Sequence, residues 1–429
     1  MSLSIDIPAE QWAISRCSRG ILVSLSIPSI GRNFCPTDQQ QLMKKMEMND
    51  EPTIKQGCFV IITRCGYSRL CPVVPGKRIL LHKTAFYLDN LVGHSFGQYF
   101  EIVNKQLQVC SNTIPESVAF SNNLPDGLMS DTDSNSEEAN GNLEENASNQ
   151  MVSREELAEM KKKGTSSDEI IRTLVKGSLS FKRKSTFAQS KYVQRKKLKH
   201  SEYVLVLKPT IRLLADVFYA KNPEKMQYLR QDAFAMLLAK SNIYPGARVL
   251  LVEDCCGLIS AAIVEKMNGD GICMQIHRGD QCQSKPCLDA MDFPKNILQT
   301  FQPIPISLAI KENENEDNET SIFIKCEQKL QEFEKGEFDS LIIASRFDPR
   351  ILSEKLLSKI KLSGTIVIYS TCIQVLLECF QKLRSSNQVL NLEIMDTFMR
   401  YYQILPNRTR PEMNGHVSCG YLLSGIVAE

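Results

Sequence analysis

Residues 249–252, VLLV, form an almost unbroken apolar run that follows a Pro245-Gly246 turn and gives way to the small-residue stretch 260–264, SAAIV. A strand buried on both faces and followed at once by a helix is the opening unit of a parallel α/β sheet. The alternation continues downstream, with strand-like runs at 271–276, 304–310, 340–344, 365–369, 392–396 and 421–427 and helical patterns at 350–360 and 371–384. Ahead of the turn, Ile211, Leu214, Ala215 and Phe218 fall at i, i+3, i+4 and i+7, and Leu229, Ala233 and Leu237 make a second apolar stripe. Residues 203–429 are therefore predicted to form a doubly wound sheet with an antiparallel hairpin at its edge. The stretch KENENEDNET at 311–320 is a polar surface insertion in it.

The pattern upstream is different. Short strand-like runs at 58–62, 73–74, 78–81 and 99–103 are separated by Gly57, Gly66, Pro72, Pro75-Gly76 and Gly93, the spacing of a small β-barrel or sandwich over 51–112. Residues 1–50 show no sustained periodicity and read as a disordered extension. No Lys or Arg occurs between Lys105 and Arg154, and Ser, Asn, Asp and Glu crowd this region, so 113–150 reads as a solvated acidic linker. A helical connector, 151–202, opens on two capping boxes, Ser153 with Glu156 and Ser166 with Glu169.

That connector carries the one strong charge pattern. Lys182, Arg183, Lys184, Lys191, Arg195, Lys196, Lys197 and Lys199 occur with no acidic residue between Phe181 and His200. On a helix, Lys191, Arg195 and Lys199 share one face, an arrangement that tracks a phosphate backbone. The net charge of the chain is only +2, so a polyanion partner must be met by this local patch, which also suits nuclear import. The fifteen cysteines are irregularly spaced and read as reduced thiols. His277, Cys282 and Cys287 lack a paired spacing for zinc, so no metal site is expected. No apolar stretch is long enough to span a bilayer.

The turn after the 249–252 strand reads Glu253-Asp254-Cys255-Cys256-Gly257-Leu258-Ile259. It resembles the E-x-G-x-G-x-G turn of class I S-adenosylmethionine methyltransferases that make 1-methyladenosine in tRNA, with Cys255 and Ile259 standing in place of the first and third glycines. Those side chains are expected to fill the cofactor space and crowd the helix start. The second strand ends Gln275-Ile276-His277-Arg278, without the acid that holds a cofactor ribose. Ala344-Ser345-Arg346-Phe347-Asp348-Pro349 replaces the catalytic D-x-P-x-P-W segment, and Asp348 reads as a helix N-cap.

The segments FYLDNLVGHSFG (86–97), SRFDP (345–349) and RYYQILPNRTRP (400–411) closely resemble the non-catalytic subunit of the eukaryotic tRNA (adenine-58-N1)-methyltransferase. The resemblance covers roughly 52–429. It implies a class I methyltransferase-like α/β domain with a degenerate cofactor site, preceded by a small β-barrel. It also implies tRNA binding, no catalytic residue, and a heterotetramer of two plus two with a catalytic subunit that carries the S-adenosylmethionine. The competing readings are an active methyltransferase with an atypical cofactor loop and an unrelated scaffold. His94 reads as structural or as an RNA contact. Phe86, Tyr87 and Phe96 read as core residues or as base-stacking platforms. Arg346 either orders its loop by pairing with a carboxylate such as Asp348 or contacts tRNA or the partner.

Overall fold

The computed structural model describes residues 53–110, 150–181, 200–310 and 320–428 apart from 65, 82, 83, 164, 166, 201, 280, 281, 283, 284, 406, 407 and 412–418, together with 189, 192, 193, 195 and 196. The expected extension 1–50 and all but the last residue of the expected linker 113–150 lie outside these residues.

Short β-branched and aromatic runs fold as β1 (Phe59–Arg64), β2 (Tyr67–Pro72), β3 (Arg78–Leu81), β4 (Thr84–Tyr87), β5 (Tyr99–Val103) and β6 (Gln106–Val109). With β7 (Tyr203–Leu207) they build a five-stranded sheet of order β2-β1-β7-β5-β6 and a separate hairpin, β3-β4. The hairpin lies against both edges of the sheet, next to β2 and β6. There Arg69 donates to the Leu80 carbonyl at 2.6 Å, and the Tyr87 N–H donates to the Lys105 carbonyl at 2.9 Å. Residues 73–74, expected to be a strand, follow β2 instead.

The place of β7 corrects the sequence reading, in which Tyr203 opens the α/β region. Its strand pairs antiparallel with β1 (Ile61↔Leu207) and β5 (Phe100↔Val204). YVLVL alternates between half-buried and buried positions, the signature of an antiparallel strand and not of one covered by helices on both faces. Val204 and Val206 join Val60, Ile62, Phe86, Leu88, Leu91 and Phe100 in one core. Between β6 and β7 the chain forms α1 (Arg154–Lys162) and α2 (Ser167–Lys176). The first capping box is present, with the Ser153 N–H donating to Glu156 at 3.0 Å and the Glu156 N–H donating to Ser153 Oγ at 3.1 Å. Ser166 of the second lies outside the described residues.

Residues from Ile211 onward form α3 (Ile211–Lys221), α4 (Gln231–Lys240), β8 (Arg248–Glu253), α5 (Leu258–Met267), β9 (Ile272–His277), β10 (Phe301–Pro305), α6 (Thr320–Lys335), β11 (Phe338–Ala344), α7 (Pro349–Leu357), β12 (Ile360–Ser370), α8 (Ile373–Ser386), β13 (Val389–Asp396), the hairpin β14 (Tyr402–Leu405) and β15 (Arg408–Pro411), and β16 (Tyr421–Val427). Short helical turns add to these. The sheet order is β10-β9-β8-β11-β12-β16-β13. Strands β8 to β12 run parallel, while β16 is antiparallel to both neighbours. Counted from β8, the order is 3-2-1-4-5-7-6, so the expected doubly wound sheet with an antiparallel edge is present.

Two elements differ from expectation. The run expected at 304–310 is strand only to Pro305, and Ile306–Ala309 turns helical. Pro303 and Pro305 cannot donate to a second ladder, and β10 is an edge strand paired only with β9. Helix α6 begins at Thr320, the last residue of the expected insertion, where the sequence reading placed no helix. Asp339 ties the start of β8 to β11: it accepts from the Arg248 N–H and the Tyr244 hydroxyl, each at 2.7 Å, and pairs with Lys361.

Pro52–Glu429 make up one compact unit, and β1 serves both of its sheets. Val60 and Ile62 face the smaller core, while Ile61 packs with α3, α5 and the main sheet. A Val206→Asp substitution places an unpaired charge at a fully buried position of β7 and is expected to destabilise by about 3 kcal/mol or more. Limited proteolysis should then open sites within 53–110 and leave 248–427 resistant. Cleavage confined to 248–427 would instead place the strand in the larger sheet.

Candidate functional site

The carboxyl ends of β8, β9, β11 and β12 are where a doubly wound fold binds its ligands. At the end of β8, Glu253 is only 3% exposed. Its carboxylate arches over the turn and accepts from the Ile259 N–H at 3.0 Å, the Ser260 N–H at 3.1 Å and the Ser260 hydroxyl. The Ser260 oxygen also lies 3.1 Å from Gln275 Oε1 on β9, to which the Cys282 thiol donates at 3.5 Å. Burial pushes the Glu253 carboxyl up to about 7, opposed by its hydrogen bonds. Two left-handed residues, Cys256 at φ 58° and Gly257 at φ 75°, let the chain double back beneath the carboxylate.

The predicted obstruction takes a different form from the one expected. Cys255 and Ile259 are fully buried and point into the core. The Cys255 thiol faces the carbonyls of Met226 (3.6 Å) and Ala344 (3.7 Å), and burial raises its pKa. The turn is closed by backbone. The Leu258 N–H donates to the Cys255 carbonyl, and the Cys287 N–H donates to the Cys256 carbonyl, both at 3.2 Å. The short helix Pro286–Ala290 is thereby held on the turn. At the end of β9 burial keeps His277 below the usual histidine range, so a neutral imidazole stands where a ribose-binding acid is expected. The Leu258, Ile259 and Ser260 N–H groups at the start of α5 are thus spent on bonds within the protein. Among the described residues no group of His, Cys, Asp or Glu has the arrangement of a metal site, and no helix is long and apolar enough to cross a membrane.

The neighbouring half of the edge is open. A cleft of about 490 Å³ lies beyond β11 and β12, lined by Glu224, Gln227, Tyr228, Arg346, Phe347, Ser370 and Thr371 among others. Asp348 caps α7, accepting from the Arg350 N–H at 2.9 Å, and it also binds the Arg350 guanidinium, at 2.5 Å from Nη2. Arg350 pairs in addition with Glu378. Asp348 is thus paired with Arg350, and no ion pair between it and Arg346 occurs among the described residues. Arg346 donates its backbone N–H to Asp254 at 2.8 Å, and its guanidinium makes one hydrogen bond, to the Glu224 carbonyl at 3.3 Å. Among the described residues it has no ion pair.

Of the basic stretch, Arg195 and Lys196 lie on helical backbone. Arg195 is exposed, and Lys196 sits 5.2 Å above the Tyr192 ring. Lys182, Arg183, Lys184, Lys191, Lys197 and Lys199 lie outside the described residues. The FYLDNLVGHSFG segment contributes to the smaller core. Phe86, Leu88 and Leu91 are fully buried, and Phe96 packs against the same core. The His94 carbonyl accepts from the Ile54 N–H at 2.8 Å, and its ring meets Phe100 edge-on at 5.6 Å. Sequence reasoning missed Gln227 and Tyr228, which no local pattern marks. It also passed over Ser260 and Gln275, although a polar residue inside an otherwise apolar run was a usable signal.

Residues 53–334 match the Gcd10p family. The chain belongs to the Gcd10p family. It is 30% identical over 417 residues to the Dictyostelium discoideum tRNA (adenine(58)-N(1))-methyltransferase non-catalytic subunit trm6, covering 87% of this chain and 79% of that one. To the Mus musculus protein of the same description it is 27% identical over 450 residues, covering 87% and 88%. Among solved structures the Gcd10p-family chain is similar to an S-adenosylmethionine-dependent O-methyltransferase from Thermotoga maritima, with a TM-score of 0.49, 11% identity and coverage of 87% and 94%. It is also similar to the tRNA (m1A58) methyltransferase TrmI from Aquifex aeolicus, with a TM-score of 0.45, 13% identity and coverage of 88% and 100%.

The titration of Glu253 gives a prediction with a definite sign. Its carboxyl rises from 4.5 in a free chain to about 7 in the folded protein, so the folded state binds the extra proton between these values. The stability tied to this group is full below 4.5 and lost as pH rises through 7, on the order of 3 kcal/mol in total. Glu253→Gln should remove that slope. In urea unfolding at pH 5 and pH 8, the wild type should lose more stability with rising pH than the variant. Equal losses would contradict this account of the buried carboxyl.

Proposed function

We propose that this Gcd10p-family chain is the non-catalytic subunit of a tRNA adenine-58 N1-methyltransferase, binding tRNA and supporting a catalytic subunit that alone carries S-adenosylmethionine. The observation that carries the reading is the closed turn. Glu253 occupies the first N–H groups of α5, and Cys287 closes on the Cys256 carbonyl. The end of β9 also lacks an acid, so the residues of this edge do not fit the cofactor. A chain with the methyltransferase sheet order and without its cofactor chemistry serves by binding and positioning. The names of the relatives support the same role. The open sheet and its hairpin work as a small barrel. The assembly is a heterotetramer of two plus two acting in the nucleus, where the basic stretch serves import as well as RNA binding.

On this reading the cations do the recognition. The basic stretch neutralises backbone phosphates, and Arg346 holds a phosphate of the tRNA or a carboxylate of the partner with donors that the described residues leave unused. Co-expression with the catalytic subunit should yield methylation of adenine-58, with each chain inactive alone. Activity of this chain by itself would overturn the reading in favour of an active enzyme with an atypical loop. Neutralising Lys191, Arg195 and Lys199 should flatten the dependence of log K on log salt by about 2 units on a single-strand scale or about 3 on a duplex scale. An unchanged slope removes the stretch from the RNA. Arg346→Leu should weaken tRNA binding or assembly at an unchanged melting temperature, whereas early unfolding with both intact would make Arg346 a loop-ordering residue.

A further inference from the structure

The cleft beyond β11 and β12 is shaped by more than an absence of side chains. One wall is the segment 223–230, in which two successive residues, Gln227 at φ 51° and Tyr228 at φ 55°, are left-handed. Non-glycine residues hold such a conformation only where surrounding bonds over-determine it. Here the Gln227 side chain donates to the Ala344 carbonyl at 3.1 Å, the Tyr369 hydroxyl lies between the carbonyls of Gln227 (2.9 Å) and Cys419, and the Tyr228 N–H donates to the Pro223 carbonyl at 2.7 Å. The result is a held backbone that places Tyr228, 43% exposed, on the lining of a cleft that also holds Arg346 and Phe347.

We infer that this cleft holds one unpaired nucleotide of the bound RNA, with its base stacked on Tyr228 and its phosphate on Arg346. The inference rests on the tRNA-binding reading above and adds a site to it. The volume of about 490 Å³ lies in the range that encloses a small ligand and excludes a duplex. Single-stranded RNA is recognised by stacking bases on aromatic faces beside cationic groups that meet the backbone. Charge favours a single nucleotide unit over a free polyphosphate: Asp348 and Glu378 hold Arg350, and Glu224 lines the cleft with Arg346, so among the described residues of the lining one cation remains for one phosphate. The cleft borders the turn, to which Arg346 is bonded through Asp254, and none of its lining residues belongs to 253–259.

The test uses the full-length chain and an unmodified tRNA transcript. Tyr228→Leu should weaken binding by about 5- to 150-fold, the range of one lost stacking contact. The salt slope should not change, because no phosphate contact is removed, and Tyr228→Phe should bind like the wild type. Unaltered affinity in Tyr228→Leu overturns the inference and leaves the tRNA-binding reading intact if the basic-stretch variant still loses its slope. Failure of the wild type to bind tRNA overturns both. If Tyr228→Leu does not fold, ultraviolet crosslinking of the wild type to the same transcript decides. Nucleotide adducts on Tyr228 or Phe347 support the site, and adducts confined to other residues sink it.

Discussion

A carboxylate buried at the N-terminus of a buried helix is the constraint on which this edge of the molecule depends. Glu253 has almost no solvent, so its charge has to be met by donors inside the protein. Ile259 and Ser260 supply them from the first turn of α5. For these groups to reach the carboxylate, the chain must turn back within a few residues, which Cys256 and Gly257 achieve in left-handed backbone. Helix α5 is in turn buried around most of its circumference. The turn is thus fixed from both sides, by a hydrogen-bonded acid above and a packed helix below.

From this follows a division of the carboxyl edge. On the side of β8 and β9 the first N–H groups of α5 bond to Cys255 and Glu253, and the short helix after Lys285 is bonded to the turn. On the side of β11 and β12 the edge stays open, and the segment after β11 presents Arg346 where the resembling enzymes carry an acid. The two halves of one sheet edge thus differ, one bonded to its own turn and the other lining a cleft. The second sheet is joined to this scaffold through β1, whose two faces belong to two cores.

Much of this was legible in the residues. The run VLLV and the later β-branched runs marked strands because continuous apolarity is what a strand covered on both faces needs, and Tyr421–Val427 was found with its observed bounds. Asp348 before Pro349 marked a helix start because both residues suit the first turn. Other features were hidden because their cause is not local. Strand β7 was assigned to the wrong sheet, since its partners lie more than a hundred residues upstream. Cys255 was expected in the cofactor space and Ile259 at the helix entry, but both are buried in the core, a placement that depends on backbone angles at the turn, which the pattern of residue types does not set. The left-handed backbone at Gln227 and Tyr228 is bonded to Ala344 and Tyr369, more than a hundred residues downstream, as well as to nearby Pro223.

The proposed function rests on the turn after β8 being held by internal bonds in place of a cofactor. Isothermal titration of S-adenosylmethionine into the isolated full-length chain tests it most directly. The account predicts no saturable heat through the millimolar range. Saturable binding in the micromolar range, lost on substitution of Gly257, would contradict it.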